Sequence, residues 1–171
     1  MDIYQKMQEK YSFLNPYNHL YDLPTGWIKC FGELFCEDIS NAVRENNIEN
    51  YQVLQAKEKF GELRWYDIGC EETQNIINDY SFLSRHTCII CGKVFVPIMD
   101  DGWVCPYCKK CYKENRHFNK EEPNWENIII KESEEEINKT EYEIVVFSPS
   151  KNIVRRDISY ILNRISKEFK E

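Results

Sequence analysis

The sequence predicts an α+β fold: a small antiparallel sheet packed with helices, plus a compact cysteine-rich module. Three observations predict it. An amphipathic helical stretch beginning near Gly26 is followed by two strand-like runs around Gly61. A second helical stretch then delivers the chain to Cys88. From Cys88 to Cys111, "CIICGKVFVPIMDDGWVCPYCKKC" holds five cysteines in three C-x-x-C pairs.

The bulk numbers suit such a fold. At 171 residues, 42% hydrophobic and 14% aromatic, the chain can bury a real core and is too apolar for wholesale disorder. The N-terminus "MDIYQKMQEKYSF" lacks the apolar stretch of a secretory signal, and no apolar run approaches a membrane span. The expected location is therefore cytoplasmic, with no membrane partner. In that compartment eight cysteines read as metal ligands or buried thiols rather than disulfides. Cys30, Cys36 and Cys70, outside the cluster, are expected to be buried apolar thiols.

The elements follow in order. "MDIYQKMQEKYSFL" carries Ile3, Met7 and Phe13/Leu14 at loosely helical spacing. "NPYNHLYDLPTG" reads as a loop, punctuated by Pro16, Pro24 and Gly26. "GWIKCFGELFCEDISNAVREN" is the clearest helix, with Trp27, Ile28, Phe31, Leu34, Phe35, Ile39 and Val43 on one face. Thr25 is its expected N-cap, and Asn46-Asn47 its stop.

"YQVLQAKEKFGELRWYDIG" predicts two strands turning at Gly61. "EETQNIINDYSFLSR" predicts a helix presenting Ile76, Ile77, Tyr80 and Leu83. Past the cysteines, "NIIIKE" and "YEIVVFSP" read as strands. "VRRDISYILNRISKEF" reads as a final amphipathic helix with Ile158, Ile161, Leu162, Ile165 and Phe169 on its apolar face.

Charge sets a boundary. Nine acidic and two basic residues between Glu121 and Glu143 account for the whole formal charge of −7, leaving the rest neutral. Residues 1–120 are thus expected to form an α+β domain containing the cysteine module at about 86–118. Residues 121–171 follow as an acidic linker, a strand and a C-terminal helix, an accessory unit. A neutral body does not look like a nonspecific nucleic-acid binder, which needs a basic face, but it leaves room for a local basic patch.

The cysteines carry the chemistry. A structural Zn2+ site takes four tetrahedral thiolate or imidazole ligands, and two C-x-x-C pairs supply them. "Cys88-Ile-Ile-Cys91-Gly92" has the form of a zinc knuckle, with Gly92 permitting the tight turn. The second pair is ambiguous, since Cys105/Cys108 and Cys108/Cys111 share one spacing. A helix through "CKKCYKEN" places Cys108 and Cys111 on one face, near an N-terminus that favours thiolates. The expected ligands are therefore Cys88, Cys91, Cys108 and Cys111. Cys105 is left as a non-ligand or an exchangeable alternative. The expected module is treble-clef-like, with a zinc ribbon as runner-up. His86 and His117 flank the cluster and read as surface histidines.

In isolation "CPYC" is the active-site tetrapeptide of glutaredoxins. Here it lies past the middle of the chain between other C-x-x-C pairs, where zinc would quench its thiolates. A catalytic zinc would keep an open position, and neither H-x-x-x-H nor H-x-E occurs.

"GWIKCFGELFCEDI", "KEKFGELRWY", "CIICG" and "GWVCPYCKKC" together resemble a family of small uncharacterised zinc-binding proteins of bacteria and phages. The resemblance covers about Gly26 to Cys111 and implies Cys108 and Cys111 as the last ligand pair. It implies no activity.

The function expected is a zinc-stabilised, non-enzymatic binding or regulatory protein of phage or mobile-element origin. It would act through a protein partner, inhibition of a host factor being one form. The alternative is a nucleic-acid-binding zinc module, with Lys109, Lys110, Lys113 and Arg116 among Tyr107, Tyr112 and Phe118. An enzyme using Lys57, Lys59, Glu62 and Arg64 ranks last. The expectation there is sheet architecture, with Phe60, Leu63 and Trp65 packed and the charges solvated.

Overall fold

In a computed structural model, residues 1–100, 103–115, 130–132, 142–144 and 157–171 are described. The element order mixes helices with three two-stranded antiparallel sheets, an α+β architecture. Helix α1 (Ile3–Lys10) opens with a capping box, in which Asp2 accepts from the Gln5 N–H and the Gln5 side chain accepts from the Asp2 N–H. Within the stretch read as helical, α1 ends at Lys10 and a 3-10 turn, Ser12–Leu14, follows, while the stretch read as a loop contains another, His19–Asp22.

The long helix is continuous but not uniform. It runs through α2 (Thr25–Trp27), a π-helical turn (Ile28–Gly32) and α3 (Glu33–Glu45). Pro24, not Thr25, occupies the N-cap position and makes no side-chain cap. The C-terminus is a Schellman motif: Asn47 has φ of 52°, and the Asn47 and Ile48 N–H groups donate to the Arg44 and Val43 carbonyls. Trp27, Ile28, Phe31, Phe35 and Ile39 are buried, while Leu34 and Val43 pack at the margin. Cys30 and Cys36 share the core, as expected. Cys70 instead is only half-buried, standing at the N-cap of the next helix.

Strands β1 (Gln52–Lys59) and β2 (Glu62–Ile68) pair from Gln52↔Ile68 to Lys59↔Glu62, with a register shift between Val53 and Gln55. Val53, Ala56, Leu63 and Trp65 face the core. The two-residue turn is Phe60-Gly61, with φ of 54° and 75°. Positive φ at both positions is the type I′ requirement, usually met by Asn-Gly. Phe60 is therefore no core residue: it is 66% exposed, against expectation.

Helix α4 (Glu71–Ser84) covers this sheet, burying Ile77, Tyr80 and Leu83. The Ser84 hydroxyl accepts from the Leu63 N–H at 2.8 Å, and the Ser81 hydroxyl donates to the Leu63 carbonyl at 2.8 Å. Buried polar groups of α4 are thereby satisfied on the hairpin.

Beyond α4 come β3 (Ile98–Asp100), β4 (Val104–Pro106) and α5 (Lys109–Asn115). Two short strands, β5 (Ile130–Glu132) and β6 (Tyr142–Ile144), pair with each other. Arg116, His117 and Phe118 lie outside the described residues, as does most of the acidic stretch.

Within described residues 157–171 the chain forms α6 (Ser159–Leu162) and a 3-10 turn (Lys167–Phe169) rather than one helix, and residues 154–156 of the predicted helix lie outside the described residues. Ile158, Ile161, Leu162 and Ile165 are buried in the same core as Trp27 and Tyr80. The end of the stretch that charge set apart as accessory thus completes the main core. Among the described residues, no helix is long and apolar enough to cross a membrane.

Candidate metal centre

Three pieces assemble the cysteine cluster: a knuckle at 88–92, the β3–β4 hairpin and α5. In the knuckle the Gly92 N–H donates to the Cys88 carbonyl at 3.0 Å, and the Cys88 N–H donates to the Lys93 carbonyl at 2.8 Å. Gly92 has φ of 84°, which closes the turn. Ile98↔Pro106 through Asp100↔Val104 form the hairpin. Cys108 then stands just ahead of α5 and Cys111 within its first turn. Knuckle, hairpin and helix in this order make the treble-clef-like arrangement.

The Sγ atoms of Cys88, Cys91, Cys108 and Cys111 all lie within 4.8 Å of one another. The Cys91–Cys108 sulfur separation is 3.7 Å. A disulfide would hold them at about 2.05 Å. A tetrahedral ion with metal–sulfur bonds of about 2.3 Å instead sets its sulfurs about 3.8 Å apart. The donor set therefore fits a four-coordinate, thiolate-preferring metal ion. The structure brings together the four cysteines expected from the knuckle pair and the helix through "CKKCYKEN".

Backbone dipoles support this set. The Cys111 N–H donates to the Cys108 sulfur at 3.4 Å. Burial pushes the Cys88 thiol up, but the N–H groups of Cys91, Cys108 and Ile90 outweigh it, and the thiol stands below its ordinary value. Cys91 and Cys111 are raised, first by burial and then by their sulfur neighbours. Four crowded thiols cannot all ionise without a cation; a coordinated metal removes that conflict by deprotonating its ligands.

Cys105 lies outside the set. It is 1% exposed in β4, and burial pushes its thiol up to about 11. It packs with Val96, Met99 and Tyr107 in the module's own small core. Cys30 is a further buried thiol beside Cys91, pushed up to about 12 by burial. His86 is buried, not on the surface, and is no part of the cluster. Burial holds its imidazole near 4, so it is neutral at pH 7.

The joint between module and body is a feature that sequence spacing did not reveal. The Gly26 N–H donates to the Ile89 carbonyl at 2.9 Å, and Trp27 Nε1 donates to the Thr87 carbonyl at 2.9 Å. A Cβ on Gly26 would lie 2.2 Å from the Cys88 carbonyl oxygen. Gly26-Trp27 is therefore the seat of the knuckle as well as a helix start. The signal available was a glycine placed where a helix should begin. On the other side, the Val94 N–H donates to the Phe169 carbonyl at 2.8 Å.

The polar residues of "KEKFGELRWY" do not converge on one point. Arg64 pairs with Glu62 at 3.1 Å, while Lys57 donates to Gln55 at 2.8 Å. No known protein family, curated protein or solved structure matches the chain.

Proposed function

We propose that this chain is a zinc-stapled, non-enzymatic binding protein of the cytoplasm, acting through a protein partner. The observation that carries the reading is the closed sulfur set: four cysteines supply every position of a tetrahedral ion and leave none for substrate. Zinc is the metal chosen by such a set, because soft thiolates and tetrahedral geometry suit it. Bound there, it would supply no reaction chemistry; it would hold the knuckle, β3–β4 and α5 as one unit. The resemblance to small bacterial and phage proteins supports an origin in a phage or mobile element, and the acidic stretch after Glu121 is what would suit inhibition of a host factor.

The test is a tagged pull-down from host cells with the metal-loaded chain and with Cys91→Ser. One stoichiometric protein retained by the first and lost with the second supports the reading. Absence of any stoichiometric protein, with one zinc per chain confirmed, overturns it.

A further inference from the structure

Of the rings that sequence pattern nominated for stacking on nucleic acid, Phe118 lies outside the described residues, and the two tyrosines pack on each other. Tyr107 is buried and meets Tyr112 edge-on at 6.1 Å. Other rings are displayed instead. Phe60 and Trp103 are 66% and 64% exposed, and Tyr66 is 47% exposed. At Gly61, beside Phe60, a Cβ would stand 3.0 Å from Pro106 Cδ and 3.4 Å from the Val104 carbonyl oxygen. The β1–β2 turn, where Phe60 stands, therefore touches β4, which begins one residue after Trp103.

The hairpin face opposite the core carries Lys57, Lys59, Glu62, Arg64 and Tyr66. Its formal charge is +2, in a chain whose total is −7. Its single acid, Glu62, is already held by Arg64. Cations accompany the rings: Lys57 Nζ stands 5.6 Å from the Tyr66 centroid, and Lys59 Nζ stands 5.4 Å from that of Phe60. Lys109 and Lys110 are exposed just past Pro106. From the Gln55↔Tyr66 pair to the Lys59↔Glu62 pair is about 13 Å of strand.

Phe60 also has no folding reason to be aromatic. It is exposed, and its left-handed φ suits asparagine or glycine. A bulky ring held in that conformation at a hairpin tip points to use rather than stability.

We infer that this face binds single-stranded nucleic acid, with Phe60, Trp103 and Tyr66 stacking on bases and Lys57, Lys59 and Arg64 meeting phosphates. Single strands fit because their bases are free to stack, whereas duplex bases are not. A protein interface would place its apolar residues in a charge-depleted centre, but here charge and ring alternate. The inference goes beyond the protein-partner reading, giving the module a second ligand, and either can fail without the other.

The experiment uses the full metal-loaded chain and fluorescein-labelled dT20, U20 and a 20-base-pair duplex, read by anisotropy at 50 and 200 mM NaCl. Micromolar binding to one or both single strands, at least tenfold weaker binding to duplex and a steep salt dependence are expected. The dT20 and U20 arms separate DNA from RNA. Phe60→Asn and Trp103→Ala should each cost about tenfold in affinity with zinc content unchanged, and Phe60→Asn should not lower Tm. Lys59→Gln should reduce the log–log salt slope by about one. The proposal is overturned if neither single strand binds at 50 mM NaCl, or if the Phe60→Asn/Trp103→Ala double variant binds equally well. Equal competition by polyglutamate also overturns it, marking the face as one for acidic proteins.

Discussion

Gly26 and Gly92 meet backbone to backbone. A Cβ on Gly92 would stand 2.6 Å from the Gly26 carbonyl oxygen, and one on Gly26 would stand 2.8 Å from the Gly92 nitrogen. The start of the long helix and the metal knuckle are thus pressed together with no room for a side chain between them. Gly26→Ala should destabilise the chain by about 3 kcal/mol, since backbone on both sides must move. Gly92→Ala adds strain at φ of 84° to the same clash. Denaturant melts of both variants check this; wild-type stability in either would disprove the joint.

The sulfur set predicts a clean split among the cysteines. Cys88→Ser, Cys91→Ser, Cys108→Ser and Cys111→Ser should each abolish the tetrahedral cobalt spectrum and tight zinc binding. Cys105→Ser should keep one metal per chain and cost about 1–2 kcal/mol, because a hydroxyl replaces a buried thiol. Retention of metal by Cys111→Ser, with loss in Cys105→Ser, would show that the other pair binds.

The end of the chain should prove indispensable. Deleting residues 157–171 uncovers the core surface that Ile158, Ile161, Leu162 and Ile165 fill. Each such side chain is worth about 2 kcal/mol of burial, so the truncated chain should fail to fold cooperatively. A sharp thermal transition in that variant would assign the segment back to an independent unit.

One carboxylate ties this segment to two helices. Asp38 on α3 accepts from Tyr80 of α4 at 2.7 Å and from Arg164 Nη1 at 2.7 and 2.9 Å. Arg164 also reaches Glu37 at 2.9 Å. Tyr80→Phe should cost about 1 kcal/mol, since it removes one hydrogen bond and leaves the ring packed. Arg164→Leu should cost about 1–2 kcal/mol and speed hydrogen exchange across 158–165 first. Uniform exchange change over the whole chain would argue against a local clasp.

Phe60 should trade stability against use. Phe60→Asn relieves a bulky residue at φ of 54° and should raise stability by about 1 kcal/mol. A lower Tm would mean that the ring supports the hairpin instead.

Much of the local structure is legible in the sequence. The 3- and 4-residue spacing from Trp27 to Val43 predicts the long helix, and Asn46-Asn47 its end. Strand alternation around Gly61 predicts the hairpin, C-x-x-C spacing predicts the knuckle pair, and a helix through "CKKCYKEN" favours Cys108 with Cys111. These features depend on neighbours a few residues apart, where backbone geometry alone dictates which side chains meet.

The tertiary structure decided what periodicity does not encode. Cys105 and Cys111 have the same spacing to Cys108, but β4 turns Cys105 into the module core while α5 brings Cys111 to the other sulfurs. Phe60 reads as a core aromatic until the I′ turn places it outside. His86 reads as a surface group, but it is buried, with its ring 5.7 Å from that of Phe82 on α4. The C-terminal isoleucines show an amphipathic pattern, but the core they join is built from residues more than sixty positions away. Gly26 meets Gly92 only because two distant backbones are pressed into contact, and contacts across that separation leave no period in the sequence to read.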